Sequence, residues 1–302
     1  SQLDGVAQLI RTSDADITSN NVQFESGITV AAATVSFKVK ADAPAVRMFQ
    51  GSQYNPSLTP IALSRGWNWL GYPIDAVMTL DDALKYLDVD EGDLITSLTG
   101  GFALYQNGEW YGELKVLTPG NGYMYRSMSS KAFVYNTIPT VNAQALYSGQ
   151  SKTECGPWRV NQHRYADLMP VMAVLMDGDS EADLNGWYIA AFDSTECRGV
   201  GAVIDDIVYM TVYGNQGETL SFAAIDASTG NRYEITETVQ IGLNEKGNPD
   251  NPFVLNLTVP TGVVHPEAEN SDSRIYNIKG QPAESTGKSG LYVIDGQVRF
   301  VK

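Results

Sequence analysis

Histidine and cysteine are almost missing from this chain: His163 and His265, Cys155 and Cys197 are all it has. A zinc or di-iron site built on histidines cannot be assembled from them, and no Cys-x-x-Cys pair occurs. The G-x-S-x-G elbow of a serine hydrolase is absent as well. His163, in Asn-Gln-His-Arg-Tyr, reads as a surface or turn residue, and His265 falls in a polar linker. Basic residues are few, 20 against 35 acidic ones, giving a net charge of -15 and a pI near 4.5. A surface that acidic repels phosphate backbones and anionic lipid, which excludes nucleic acid as an expected partner. No apolar run approaches the ~18 residues of a spanning helix, so no transmembrane segment is expected.

One near miss fails on inspection. Pro282 to Ser289 ends like a phosphate loop, but Pro282 stands where the first glycine belongs. Gly290-Leu-Tyr-Val-Ile then reads as a strand, leaving no helix N-terminus to hold phosphate. The two cysteines could form one bridge in an exported chain, but spacing cannot bring their Cα atoms together. Cys197 serves equally well as a small buried hydrophobe, and the pair is read as unpaired.

What the chain does contain is β pattern. At 302 residues, 43% hydrophobic and 10% aromatic, it can bury real cores in two or three domains. Val35, Phe37 and Val39 alternate with Ser36, Lys38 and Lys40. Residues 1–62 form an N-terminal β segment, either a domain of its own or part of the next. Residues 63–137 form a β-rich module that begins at Gly66-Trp-Asn-Trp-Leu-Gly-Tyr-Pro. Its one helix has Thr79 as N-cap and Leu80, Ala83, Leu84 and Leu87 at helical spacing, predicting about ten residues packed on the sheet. Asn107-Gly108 between aromatic strands is the strongest hairpin signal. Residues 156–260 carry six or so short strands with turn signals between them, the pattern of an antiparallel β-sandwich. Val171 to Met176 is apolar throughout, as in a strand buried on both faces, and Phe253, Leu255, Leu257 and Val259 face inward. Residues 274–302 read as a C-terminal hairpin segment turned at Asp295-Gly296.

Three stretches resemble known modules. Gly66-Trp-Asn-Trp-Leu-Gly-Tyr-Pro, with Glu91-Gly-Asp and Pro119-Gly-Asn-Gly-Tyr-Met-Tyr, resembles a module of exported Bacteroidetes proteins. Gly186-Trp-Tyr-Ile-Ala-Ala-Phe through Glu196-Cys-Arg-Gly-Val, with Leu220-Ser-Phe and Asn251-Pro-Phe-Val-Leu, resembles a β-sandwich module that often follows it. Ile275-Tyr-Asn-Ile-Lys-Gly-Gln with Gly290-Leu-Tyr-Val-Ile-Asp-Gly-Gln is similar to a type IX secretion sorting tail, in a shortened version. The resemblance implies a secreted or cell-surface address, at the outer membrane or beyond it. It implies a mature chain from which the export signal has been removed, and it carries no catalytic residues.

Two candidate sites remain. Asp177, Asp179 and Asp183 offer alternating carboxylates, as a calcium loop would. Against that, Ala182 replaces the EF-hand glycine and Tyr188 the bidentate glutamate, and the competing reading is a solvated hairpin. Trp110 and Tyr111, near Tyr123 and Tyr125, could stack on sugar rings. In a regular strand, however, Trp110 and Tyr111 face opposite ways. Core packing is the expectation for Trp67, Trp69 and Trp187. The reading is a mainly β, multi-domain, non-catalytic extracellular binding or adhesion protein, with a glycan or a host or matrix surface as partner and no cofactor beyond that calcium. The alternatives are structural stalk modules without a ligand, and a carbohydrate-active enzyme with an unrecognised site.

Overall fold

The computed structural model describes residues 7–11, 16–18, 34–41, 55–140, 143, 153–165, 167–258, 262–263, 275–277, 282–283, 290–294 and 297–301. Strands dominate these residues and pair almost entirely antiparallel.

The first sheet has five strands. Gly66–Gly71 pairs with Gly122–Ser127, followed by Leu94–Ser97, Gly101–Gln106 and Glu109–Gly112. Alternation sends Leu70, Ile95, Ala103, Tyr123 and Tyr125 to one face, where they meet Met78, Leu80, Leu84, Leu117 and Tyr135 in a closed core. Tyr72 packs edge-on against Tyr123 and Tyr135 there. Asn107 and Gly108 both have positive φ (52° and 83°), the geometry of the tight hairpin turn their sequence predicts. Residues Ile61–Leu63 pair with Lys131–Phe133 at the side of this core.

The helix is shorter than its apolar spacing predicts, running only from Leu80 to Ala83. Thr79 does cap it, accepting from the Asp82 amide at 3.1 Å. The helix ends at Leu84, whose amide still donates to the Leu80 carbonyl but whose own backbone leaves helical geometry at φ -100° and ψ 16°. Leu84 and Leu87 still reach the core, but through a turn closed by the Leu87 amide on the Leu84 carbonyl. One helical turn has no stability of its own, so packing decides the backbone here.

The second sheet has nine strands and curls into a half-barrel around its core. Its main path runs Ser180–Glu181, Asp167–Asp177, Ile207–Gly214, Glu196–Ile204, Trp187–Asp193, Thr219–Asp226, Asn231–Gln240 and Gly262–Val263. The curl lies in one strand that changes partners. Residues 196–200 pair with Trp187–Asp193, whereas residues 201–204 pair with Ile207–Gly214. Gly199 and Gly201 allow the crossing: a Cβ on Gly199 would lie 2.8 Å from the Thr211 carbonyl, and one on Gly201 2.7 Å from Val208. Met169, Val171, Ala173, Leu175, Val208, Met210, Phe222 and Leu255 fill the concave side.

The apolar run at Val171 belongs to a longer strand, Asp167–Asp177, and is covered on both sides as expected. Leu255 is fully buried and Phe253 and Leu257 pack on the same core, while Val259 lies outside the described residues. Their strand, Phe253–Asn256, runs parallel to Asp167–Asp177. The long connection from Ile241 carries the chain back to the sheet edge and makes that direction available.

At the N-terminal end, Asp16–Thr18, Ala7–Arg11 and Lys38–Ala41 form a three-stranded antiparallel sheet. At the C-terminal end the expected hairpin, Gly290–Ile294 with Gln297–Val301, is present and gains Ile275–Asn277 and Pro282–Ala283. Its turn residues lie outside the described set. No helix among the described residues is long and apolar enough to cross a membrane.

Candidate functional site

The first sheet has a second face, and its two halves differ. Cross-strand register places Trp67 and Trp69 beside Arg126 and Met124, then Leu94 and Thr96, then Leu104 and Phe102, then Tyr111. The second sheet sets Met172 and Tyr209 against this face, with Ile204 and Ile207 at the margin. Leu94, Phe102 and Leu104 are fully buried by that contact, and Phe102 and Tyr209 pack ring to ring at 6.1 Å. Burial pushes the Tyr209 hydroxyl up to about 12, with the nearby Asp205 carboxylate adding to it.

Polar contacts fix the junction. Tyr213 donates to the Leu98 carbonyl at 3.0 Å, and Arg126 holds both oxygens of Glu245, one at 2.9 Å. Asn107 and Gln106 donate to Asp250. The two sheets therefore meet through an apolar centre with charged and amide contacts at its edge.

The cover stops before it reaches the first strand. Trp67 sits at the margin of the buried cluster, and Trp69 lies beyond it. Two adjoining hollows open there, of about 250 Å³ and 150 Å³, sharing Lys38, Thr96, Met124 and Leu168 in their walls. Trp69 lines the larger with Ser36, Thr99 and Asn121, and Trp67 lines the smaller with Asp167, Gln216 and Leu243. The Lys38 ammonium stands 5.4 Å from the Trp69 ring centre, and the Arg126 guanidinium 6.0 Å from that of Trp67. Leu243 forms a rim with 64% of its surface open. The result is one groove with two indole walls, short polar side chains between them and a cation near each ring.

Chemically this suits binding by stacking and hydrogen bonding. Among the described residues, Asp167 is the one carboxylate in the walls of these hollows.

The structure separates the aromatic pair that alternation had already divided. Trp110 packs on the first core and edge-on to Tyr105 at 5.1 Å, whereas Tyr111 borders the contact with the second sheet. Trp187 does pack on the second core, beside Tyr233 at 5.2 Å. Trp67 packs at the margin of the cluster between the two sheets, on the face opposite the first core, and Trp69 alone departs from the core expectation, half-buried on that same face. Their neighbours show why: Asn68 and Leu70 register with Tyr125 and Tyr123, so the inward face is theirs. Two indoles flanking a single Asn on one strand was the signal, but the covering second sheet is a long-range feature.

Asp177, Asp179 and Asp183 lie at and beyond the Asp167–Asp177/Ser180–Glu181 hairpin. Asp183 accepts from the amide and side chain of Asn185 in a local turn. Among the described residues no three His, Cys, Asp or Glu side chains gather closely enough to hold a metal ion. His163 is exposed in a turn, its amide donating to Asn161, and His265 lies outside the described residues. Comparison with protein-family models, with curated proteins and with solved structures finds no match.

Proposed function

We propose that the protein is a non-catalytic extracellular binding protein and that the Trp67–Trp69 groove takes a carbohydrate-like ligand. The observation that carries this reading is the part of the first sheet's second face, at Trp69, that the second sheet does not cover among the described residues. Burying an indole is worth several kcal/mol at the usual ~25 cal/mol per Å², yet the second sheet reaches only the edge of Trp67 and leaves Trp69 out of its contact. Sugar rings offer an apolar face for the indoles and hydroxyls for Thr96, Asn121, Gln216 and Lys38. The extracellular address rests on the resemblance of the three sequence stretches to exported Bacteroidetes modules. In that setting the curled second sheet is a β-sandwich-like module, and the C-terminal strands are a sorting tail. An adhesive role towards glycans of a host or matrix surface follows from the same chemistry.

The test is a glycan array read with wild type and W69A, followed by titration of indole fluorescence. Binding to at least one polysaccharide, lost in W69A while its circular dichroism is unchanged, is the expected result. Equal binding by both proteins would move the site elsewhere. No binding by the wild type would favour modules that act only as a stalk.

A further inference from the structure

The two cysteines, far apart in sequence, lie in one apolar cluster on the convex side of the second sheet. The hairpin of Glu154–Cys155 and Trp158–Arg159 is laid over that side, and Cys155 pairs with Trp158 within it. Trp158 stacks edge-on against Phe192 at 5.3 Å, and Phe192 is the cross-strand partner of Cys197. Strand Glu154–Cys155 comes within 8 Å, Cα to Cα, of both the Trp187–Asp193 and Glu196–Ile204 strands. The hairpin lies directly on the Trp187–Asp193 strand: Gly156 sits so close to the Tyr188 ring that an added Cβ would lie 2.3 Å from it. Cys155 is buried and Cys197 is half-buried, and both are free thiols in this structure. The Cys197 thiol donates to the Gly199 carbonyl at 3.5 Å.

We propose that Cys155 and Cys197 are a dithiol pair that a disulfide-bearing oxidant converts to an intramolecular bridge, pinning the Glu154–Arg159 hairpin to the second sheet. The chemistry balances without help from the protein. The Cys197 thiolate, the more accessible, attacks one sulfur of the oxidant and releases the first thiol. The Cys155 thiolate then attacks the Cys197 sulfur of the mixed disulfide and releases the second. Two electrons and two protons pass to the oxidant, which leaves as two thiols. Burial raises the Cys197 thiol to about 11, and the neighbouring Cys155 adds to that, so the first step is slow at neutral pH and quickens as pH rises. Such a bridge would be retained in an oxidising compartment and strengthen a segment that otherwise hangs on a few ring contacts.

The experiment uses the reduced full-length chain and oxidised glutathione. Unreduced digestion and mass spectrometry should find one peptide pair joined through Cys155 and Cys197. Formation should speed up by roughly tenfold per pH unit between about pH 7 and 9. The bridged form should melt at a higher temperature than the reduced form. In C155S the first step has no resolving thiol, so glutathione should persist on Cys197, a readout that needs no comparison of stability. Separate glutathione adducts on both cysteines of the wild type, or links only between chains, would overturn the proposal.

Discussion

Arg126 and Glu245, 119 positions apart, close a two-pronged ion pair across the junction of the two sheets. Their side chains are 13% and 19% exposed, so the pair is largely out of water. Arg126 also donates to the Gly92 carbonyl at 3.1 Å and stands over Trp67. One guanidinium thus ties the second sheet, a loop of the first and a wall of the groove.

A double-mutant cycle of R126M and E245Q should give a coupling of about 1–3 kcal/mol in urea denaturation. The fork geometry matters here, so R126K should recover little of the loss. Coupling under about 0.5 kcal/mol would mean that the apolar centre alone holds the sheets together.

Asp93 is fully buried, and four donors converge on its carboxylate. These are Lys131 Nζ and the Tyr125 hydroxyl at 2.6 Å, the Met128 amide at 2.7 Å, and Lys131's second partner Asp90 through its amide at 3.0 Å. Replacing Lys131 by Met strands that charge and should cost about 3–5 kcal/mol. Burial by itself would lower the Lys131 pKa, but its hydrogen bonds to Asp93 and Asp90 outweigh it and raise the ammonium above its usual value. A raised folded pKa means that the contribution is complete below about pH 10 and fades as pH climbs through the folded value. The wild type should therefore lose stability on an alkaline limb that K131M lacks, as read from denaturant midpoints.

At the acid end the sign reverses. Asp226 accepts from the Ser228 hydroxyl at 2.6 Å, the Thr229 hydroxyl at 2.7 Å and the Ser228 amide at 2.8 Å, which hold its carboxyl below the usual range. Glu218 is held down in the same way by the Asn215 amide and side chain, and by Arg198. A lowered folded pKa gives stability that is complete above the unfolded value, near pH 4, and is lost as pH falls through the folded one. The gap in melting temperature between wild type and D226A should be constant from about pH 6 to 8 and close below about pH 4. A gap unchanged at low pH would show that the Asp226 turn contributes through shape and not through charge.

Alternation made the strands legible, because period two is local and Leu70, Tyr123 and Tyr125 carry it openly. Asn107-Gly108 was legible for the same reason, since its turn is fixed by two residues. The helix is shorter than its pattern: Leu80, Ala83, Leu84 and Leu87 have helical spacing, but they reach the core through one helical turn and a following hydrogen-bonded turn, so packing sets the backbone there. The groove was hidden for a related cause. Trp67 and Trp69 are apolar and read as core, and only the arrival of Met172 and Tyr209 on that face decides which aromatics are covered. Gly199 belongs to a stretch that resembles a known module, while its physical work, together with Gly201, is to let one strand change partners.

Gly247 gives the sharpest test of how the parallel strand is seated. Lys246 bonds both ways to Asp167–Asp177, its amide to the Pro170 carbonyl and its carbonyl to the Met172 amide, each at 2.9 Å. Gly247 follows at φ +76°, with room for a Cβ removed by the Met172 carbonyl at 2.2 Å and the Phe253 amide at 2.6 Å. Both obstacles are backbone, so neither can rotate away. G247A should cost about 3–5 kcal/mol, combining left-handed strain with overpacking. Gly217, at φ +89° with nothing within 4 Å of an added Cβ, isolates the first of these terms. G217A should cost only about 1–2 kcal/mol. If the two variants have equal urea midpoints, close approach is not what reserves position 247 for glycine. A clear excess for G247A, with loss of protection at the Val254 and Leu255 amides in hydrogen exchange, would show that this contact seats the Phe253–Asn256 strand.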